Sequence, residues 1–198
     1  MKGKSIAWII VLASIGTIVL GMFLWGISSY NKFVQREEAV TAAWSQVENV
    51  YQRRADLIPN LVATVKGYAE HEKSTLEAVV EARTKATSIT VENLSEAEME
   101  KFQKAQDQLS QSLGRLIAIG EAYPELKASQ NFLELQAQLE GTENRIAVER
   151  NKFNEIARDY NAFIRAFPRN IFASIFGFEK KGYFQAAAGS DVAPKVEF

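Results

Sequence analysis

Hydrophobic positions follow two regimes along this chain. From Ile6 to Ile27 no residue is charged, and nearly every position is Ile, Val, Leu, Ala, Met, Phe, Trp or Gly. A helix built from that stretch is apolar on every face. Beyond it, apolar residues recur every three to four positions with polar residues between them, the period of helices that bury one stripe. The 22 residues Ile6–Ile27 make ~33 Å of helix, enough to cross a hydrocarbon core of ~30 Å. Trp8 lies near one end and Trp25 and Tyr30 near the other, where amphipathic rings settle in the headgroup layer. A cleaved signal peptide would carry a shorter apolar run, ~7–15 residues, ending in a small-x-small site. Leu24-Trp25-Gly26-Ile27 is not such a site, and no Cys follows to carry a lipid. The pattern predicts an uncleaved transmembrane anchor over residues 1–27, with Ile6, Trp8, Trp25 and Ile27 among its spanning residues.

The soluble part reads as helices joined by short loops. Phe132, Leu135, Leu139, Thr142, Ile146, Glu149, Phe153, Ile156, Tyr160, Phe163 and Phe167 keep a 3-4-3-4 coiled-coil spacing. This predicts one long helix entered at Pro124 and stopped by Pro168. Met99, Phe102, Gln106, Leu109, Leu113, Leu116 and Gly120 repeat that spacing, and Ser95 with Glu98 forms a capping box at the start. The polar stretch 88–93 is the loop before it. Upstream, Phe33, Glu37, Val40, Trp44, Val47, Tyr51, Arg54 and Ile58 form another seam, followed by Val62, Val65, Ala69, Glu72, Leu76 and Val79. Pro59 interrupts this run. It either kinks one very long helix or sits in the first turn of a new one capped by Asp56.

Length favours the split. An unbroken helix of ~58 residues would run ~87 Å and outreach its neighbours. Divided near Asp56, the chain gives helices of roughly 27, 31, 27 and 42 residues that cover one another. The expected fold is all-α: an N-terminal transmembrane helix, then an antiparallel four-helix up-and-down bundle over residues 28–184, its helices crossing at about 20°. In that order the fourth helix returns to the membrane that the first one left. Residues 185–198 are rich in Ala, with one Gly and one Pro, and read as a flexible tail.

Charge changes this picture in two places. Lys2, Lys4 and the terminal amine precede the span, while Lys32 and Arg36 follow it. The positive-inside rule then favours a cytoplasmic N-terminus and an extracytoplasmic helical domain. With Lys2 and Lys4 set aside from 23 basic residues, against 24 acidic ones, the domain carries about −3 and has no basic face for nucleic acid. There is no cysteine, so disulfides and thiolate chemistry are excluded.

Catalytic patterns are missing from the sequence. The single histidine, His71, is followed four positions on by Thr75, so a zinc-protease helix with two ligands on one face is not available. A di-metal bundle site needs Glu-x-x-His on two helices. Nucleophile elbows and Gly-rich phosphate loops are absent too. The reading is therefore of a non-enzyme without cofactor or metal, and His71 is a solvated helix residue. The unexplained polar features are Arg54, Glu72, Arg83 and Glu149, a candidate polar seam. Its structural reading is ion pairs that fix helix register; its functional reading is a ligand site inside the bundle. The second candidate surface is aromatic: Phe167, Ile171, Phe172, Ile175, Phe176, Phe178, Tyr183 and Phe184, flanked by Arg165, Arg169, Lys180 and Lys181. It suits a cap on the bundle core, a helix docked at the membrane interface, or a protein contact.

Several ordered motifs carry a family resemblance. Arg53-Arg-Ala-Asp-Leu-Ile-Pro-Asn-Leu-Val62, Val65-Lys-Gly-Tyr-Ala69, His71-Glu72, Glu81-Ala-Arg83, Tyr123-Pro-Glu-Leu-Lys-Ala128, Leu135-Gln-Ala-Gln-Leu-Glu-Gly-Thr-Glu-Asn-Arg-Ile146, Arg165-Ala-Phe-Pro-Arg-Asn170, Phe176-Gly-Phe178 and Tyr183-Phe184 together resemble the LemA family over roughly residues 28–185. The resemblance implies a bacterial envelope protein of the inner membrane, with a mirror-variant four-helix domain and no known catalytic activity. Family members are often encoded near membrane zinc metalloproteases or small secreted-domain proteins, which implies an accessory or scaffold role. The expected function is a membrane-anchored, non-enzymatic scaffold that self-associates and contacts a membrane metalloprotease or other envelope proteins. The alternative is an envelope sensor that binds a small ligand or lipid between helices.

Overall fold

A computed structural model describes residues 2–69 and 71–186, with residues 2–7, 9 and 11 described by their backbone alone. Among the described residues the protein is all-helical, without strands. In chain order the helices are α1 (Lys2–Lys66), α2 (Lys73–Thr87), α3 (Glu96–Ala122), α4 (Pro124–Lys127), α5 (Gln130–Arg165) and α6 (Arg169–Phe176). They form two compact units, Met1–Thr41 with Arg158–Lys180 and Ala42–Ala157 with Lys181–Phe198. The predicted flexible tail lies outside the described residues apart from Gln185 and Ala186.

The expected break near Asp56 does not occur, because α1 runs unbroken through Pro59. A proline lacks the N–H that would bond to the carbonyl four residues earlier. Here that carbonyl belongs to Ala55, and the Arg83 Nε–H on α2 donates to it at 2.8 Å. The orphaned acceptor is thereby satisfied by a side chain from another helix. The break falls instead after Lys66, at Gly67, a residue with low helix propensity. The N–H groups of Tyr68 and Ala69 both reach the Val65 carbonyl, at 3.0 and 2.9 Å, and close the helix end.

The larger unit has its core where α1 to α5 converge. Ile58, Leu61, Val65, Leu76, Val79, Leu109, Leu113, Leu116, Leu126, Phe132 and Leu139 are buried together there. In α3 all seven seam positions are buried. Its capping box is also present, with Glu98 N–H donating to Ser95 Oγ and Ser95 N–H to Glu98 Oε2. The backbone N–H groups held by Glu98 keep its carboxyl below the ordinary glutamate range. Gly120 closes the end of this seam: a Cβ there would meet the Phe132 ring at 2.2 Å.

The long last helix differs from expectation at both ends. Pro124 opens the separate one-turn α4, whose Leu126 is fully buried, and α5 begins only at Gln130. Toward the C-terminal end the buried set becomes Phe153, Ala157, Tyr160, Asn161 and Ile164, while Phe167 is 80% exposed. A strict seven-residue seam drifts ~20° per turn-pair around a straight helix, so the heptad reading loses the buried face by its fifth repeat.

Candidate functional site

The four residues of the candidate polar seam do not form one site. Arg54 on α1 is 1% exposed and gathers the larger unit around its guanidinium. NH1 donates to Glu143 Oε1 on α5 at 2.5 Å and to Ser110 Oγ on α3 at 2.8 Å. NH2 donates to Gln106 Oε1 on α3 at 2.6 Å. Gln106 Nε2 in turn donates to the Ala86 carbonyl near the end of α2 at 3.3 Å. The cation also stands over the Tyr51 ring at 5.1 Å, and burial raises the Tyr51 phenol above its ordinary pKa. One charge thus links α1, α3 and α5, and through Gln106 α2. Glu143 is 44% exposed, so the ion pair keeps one end in water.

The other three act elsewhere. Arg83 serves the Ala55 carbonyl below Pro59. Glu72 accepts from the Tyr123 hydroxyl at 3.4 Å. Glu149 pairs with Lys152, one turn on, at 3.7 Å. Sequence reasoning found Arg54 through its seam position but missed Glu143 and Ser110, which stand one position off their seams. The only signal was an acid directly after Thr142.

The aromatic segment divides between the two units. In the smaller one, α6 lies along α1 at the end of the apolar run. Phe172 meets Trp25 edge-on, with ring centroids 5.2 Å apart. A Cβ on Gly26 would stand 3.2 Å from the same Phe172 ring, so the absent side chain admits it. Phe176 packs on Tyr30 at 5.1 Å. Gly177 adopts φ +77°, a left-handed conformation that glycine takes without strain, and turns the chain so that Phe178 reaches Phe33 at 5.0 Å. Phe163 on α5 meets Phe33 at 5.5 Å and holds the guanidiniums of Arg36 and Arg169, each 4.3 Å from its centroid. Burial, with the nearby Glu37 and Glu179 carboxylates, raises the Tyr160 phenol.

Ile171 and Ile175 on α6, and Phe167 just before it, are 50%, 70% and 80% exposed. Between α1 and α6 runs an apolar groove of about 400 Å³, lined by Met22, Phe23, Gly26, Ile27, Tyr30, Phe172 and Phe176. Trp8, Trp25 and Ile27 of the anchor are exposed; Ile6 is helical by its backbone, and its side chain lies outside the described residues.

Phe184 belongs to the larger unit. It is buried against Trp44, Phe102 and Phe153, with Arg150 over its ring at 4.7 Å. Asn154 clamps its backbone, donating to the Phe184 carbonyl at 2.8 Å and accepting from its N–H at 2.9 Å. Gln185, the first residue of the segment read as tail, exchanges two hydrogen bonds with Gln103. Tyr183, half-buried beside Phe184, lines a groove of about 510 Å³ with α3 residues. A third groove, about 690 Å³, opens between the end of α1 and α2, lined by the apolar Val62, Leu76 and Val80 together with Lys66, His71, Lys73, Glu77 and Glu81. Among the described residues no three His, Cys, Asp or Glu side chains stand together as a metal site.

These features define a helical protein whose first helix is long and apolar enough to cross a membrane. The LemA family profile matches residues 43–198, and the chain belongs to the LemA family. It is similar to the magnetosome protein MamQ 2 of Paramagnetospirillum magneticum, 29% identical over 181 residues, covering 82% of this chain and 66% of that protein. The MamQ of Magnetospirillum gryphiswaldense is 28% identical over 84% of this chain and 70% of its own. Protein LemA of Metamycoplasma hominis is 25% identical over 89% of this chain and 78% of its own. The chain therefore spans just under two thirds of the Paramagnetospirillum relative's length.

Proposed function

We propose that this chain is a membrane-anchored, non-enzymatic scaffold of the bacterial cell envelope. Residues Ile6–Ile27 cross the inner membrane from a cytoplasmic N-terminus, and the helical domain, an antiparallel up-and-down bundle, stands outside the cytoplasm. The observation that carries this reading is the use made of the buried charge. Arg54 donates from both terminal nitrogens to Glu143, Ser110 and Gln106, and Arg83 donates its Nε–H to a backbone carbonyl. Both side chains hold helices together. Function then falls to surfaces, and the exposed apolar ones are the outer face of α6 and the groove between α1 and α2. Contacts there serve self-assembly and envelope partners, a membrane metalloprotease among the candidates. Crosslinking of the full chain in native membranes should capture copies of itself or an envelope protein; capture of neither would overturn the scaffold reading.

A sensor reading is favoured by one observation, the 690 Å³ groove lined by apolar residues together with charges of both signs. A small ligand held there would raise the melting temperature of the chain in proportion to ligand excess. A ligand screen by thermal shift, with Val80→Glu as the blocked control, separates the two readings.

A further inference from the structure

The outer face of α6 remains without a protein partner in its own unit. Ile171 and Ile175 lie four residues apart on one side of the helix, beside the Phe172 and Phe176 rings that grip α1. Phe167 extends the same exposed apolar strip, and Asn170 and Ser174 form the polar side. Three observations fix what surrounds this strip. First, α6 is fastened to α1 at Trp25, Gly26 and Tyr30, the last turns of the apolar run and the start of the polar one. Second, the neighbouring face of α6 meets the anchor across an apolar groove lined by Met22, Phe23, Ile27, Phe172 and Phe176. Third, two cations, Arg36 about two turns beyond Tyr30 on α1 and Arg169 at the start of α6, stack on Phe163, and neither has a carboxylate partner among the described residues.

We infer that α6 is a membrane-interface helix docked along α1, with Phe167, Ile171 and Ile175 seated in the acyl boundary of the bilayer that holds the anchor, and Arg36 and Arg169 directed to lipid phosphate. The inference rests on the membrane-anchored reading and deepens it. An interfacial helix of this kind pairs an apolar face with basic flanks, and long arginine side chains reach headgroups while their stems stay on apolar surface. With both guanidiniums stacked on Phe163, Arg36 stays exposed and Arg169 half-buried. The chain would thus touch the membrane twice, through the span and through a short hook docked on it, which fixes the tilt and rotation of α1 as it leaves the bilayer.

The cysteine-free sequence allows a direct test. Single variants Ile171→Cys, Ile175→Cys, Ser174→Cys and Leu20→Cys of the full chain are labelled with a nitroxide and reconstituted in mixed phosphatidylcholine–phosphatidylglycerol vesicles. Collisional broadening by oxygen is compared with that by a water-soluble nickel chelate. The expected result is a several-fold higher oxygen-to-nickel ratio at Ile171 and Ile175 than at Ser174, with Leu20 higher still. Ratios at Ile171 and Ile175 equal to that at Ser174, with Leu20 lipid-like, would overturn the inference and leave the anchor intact. Protection of both positions from oxygen and nickel alike would overturn it in favour of a second copy on the strip. A water-exposed Leu20 would overturn the anchor reading together with this one.

Discussion

Both units hold clusters of rings together, but among the described residues the larger one also builds its core around a buried guanidinium. In Met1–Thr41 with Arg158–Lys180, contacts are ring on ring and cation on ring: Trp25 with Phe172, Tyr30 with Phe176, Phe33 with Phe163 and Phe178. Such contacts depend on shape, area and an edge-on or offset ring geometry, each pair adding about 0.5–1.5 kcal/mol beyond burial. In Ala42–Ala157 with Lys181–Phe198, an aliphatic core and a ring cluster of Trp44, Phe102, Phe153 and Phe184 are joined by a buried guanidinium with acceptors on two other helices. A buried charge tolerates few arrangements, since each unmet bond leaves a desolvated group behind. The larger unit is therefore specified by register as well as by fit, the smaller by fit. That suits a unit whose outer strip meets a fluid surface.

The sharpest way to break this contrast is Glu143→Leu, which leaves Arg54 buried and without its counter-ion. A loss of about 3–5 kcal/mol is expected, read from urea unfolding of the full chain in detergent. Arg54→Met combined with Glu143→Leu should recover most of it, because no buried charge remains. Next comes Arg83→Met, which orphans the Ala55 carbonyl and should destabilise by about 1–3 kcal/mol. In a Pro59→Ala background the restored N–H satisfies that carbonyl, so the same substitution should then matter little. Non-additivity in this cycle is the readout. In the smaller unit Phe172→Leu keeps an apolar group of similar size, and its loss should stay below about 1.5 kcal/mol.

The smallest effect is a pH dependence. The Glu98 carboxyl has a folded pKa below its unfolded one, so its contribution is present above the unfolded value and is lost as pH falls through the folded value. Protection of the amides in the first turn of α3, taken relative to the intrinsic exchange rate at each pH, should fall on acidification below the ordinary glutamate range, and Glu98→Gln should flatten that dependence.

Much of this architecture was legible in the residues. The α3 seam and its capping box emerge as read, because a local pattern and a local cap decide them. Arg54 was legible as a charge in a buried phase. Its counter-ion was not, since Glu143 stands one position off the α5 seam and only packing brings it inward. The break in α1 was misread at Pro59 because the remedy for a proline, a guanidinium on Ala55, comes from 28 residues away and leaves no periodic trace. The aromatic stretch 167–184 read as one surface; Gly177 and the Phe184 clamp divide it, and a backbone turn is invisible to a count of rings.

The central claim is that the buried polar residues build the scaffold and the surfaces do its work. The most direct measurement compares in-membrane crosslinking of the full chain with that of the Arg54→Met, Glu143→Leu double variant. With folding verified by melting, the two should yield the same crosslinked species. A folded double variant that loses them would show that the Arg54 site itself carries the function.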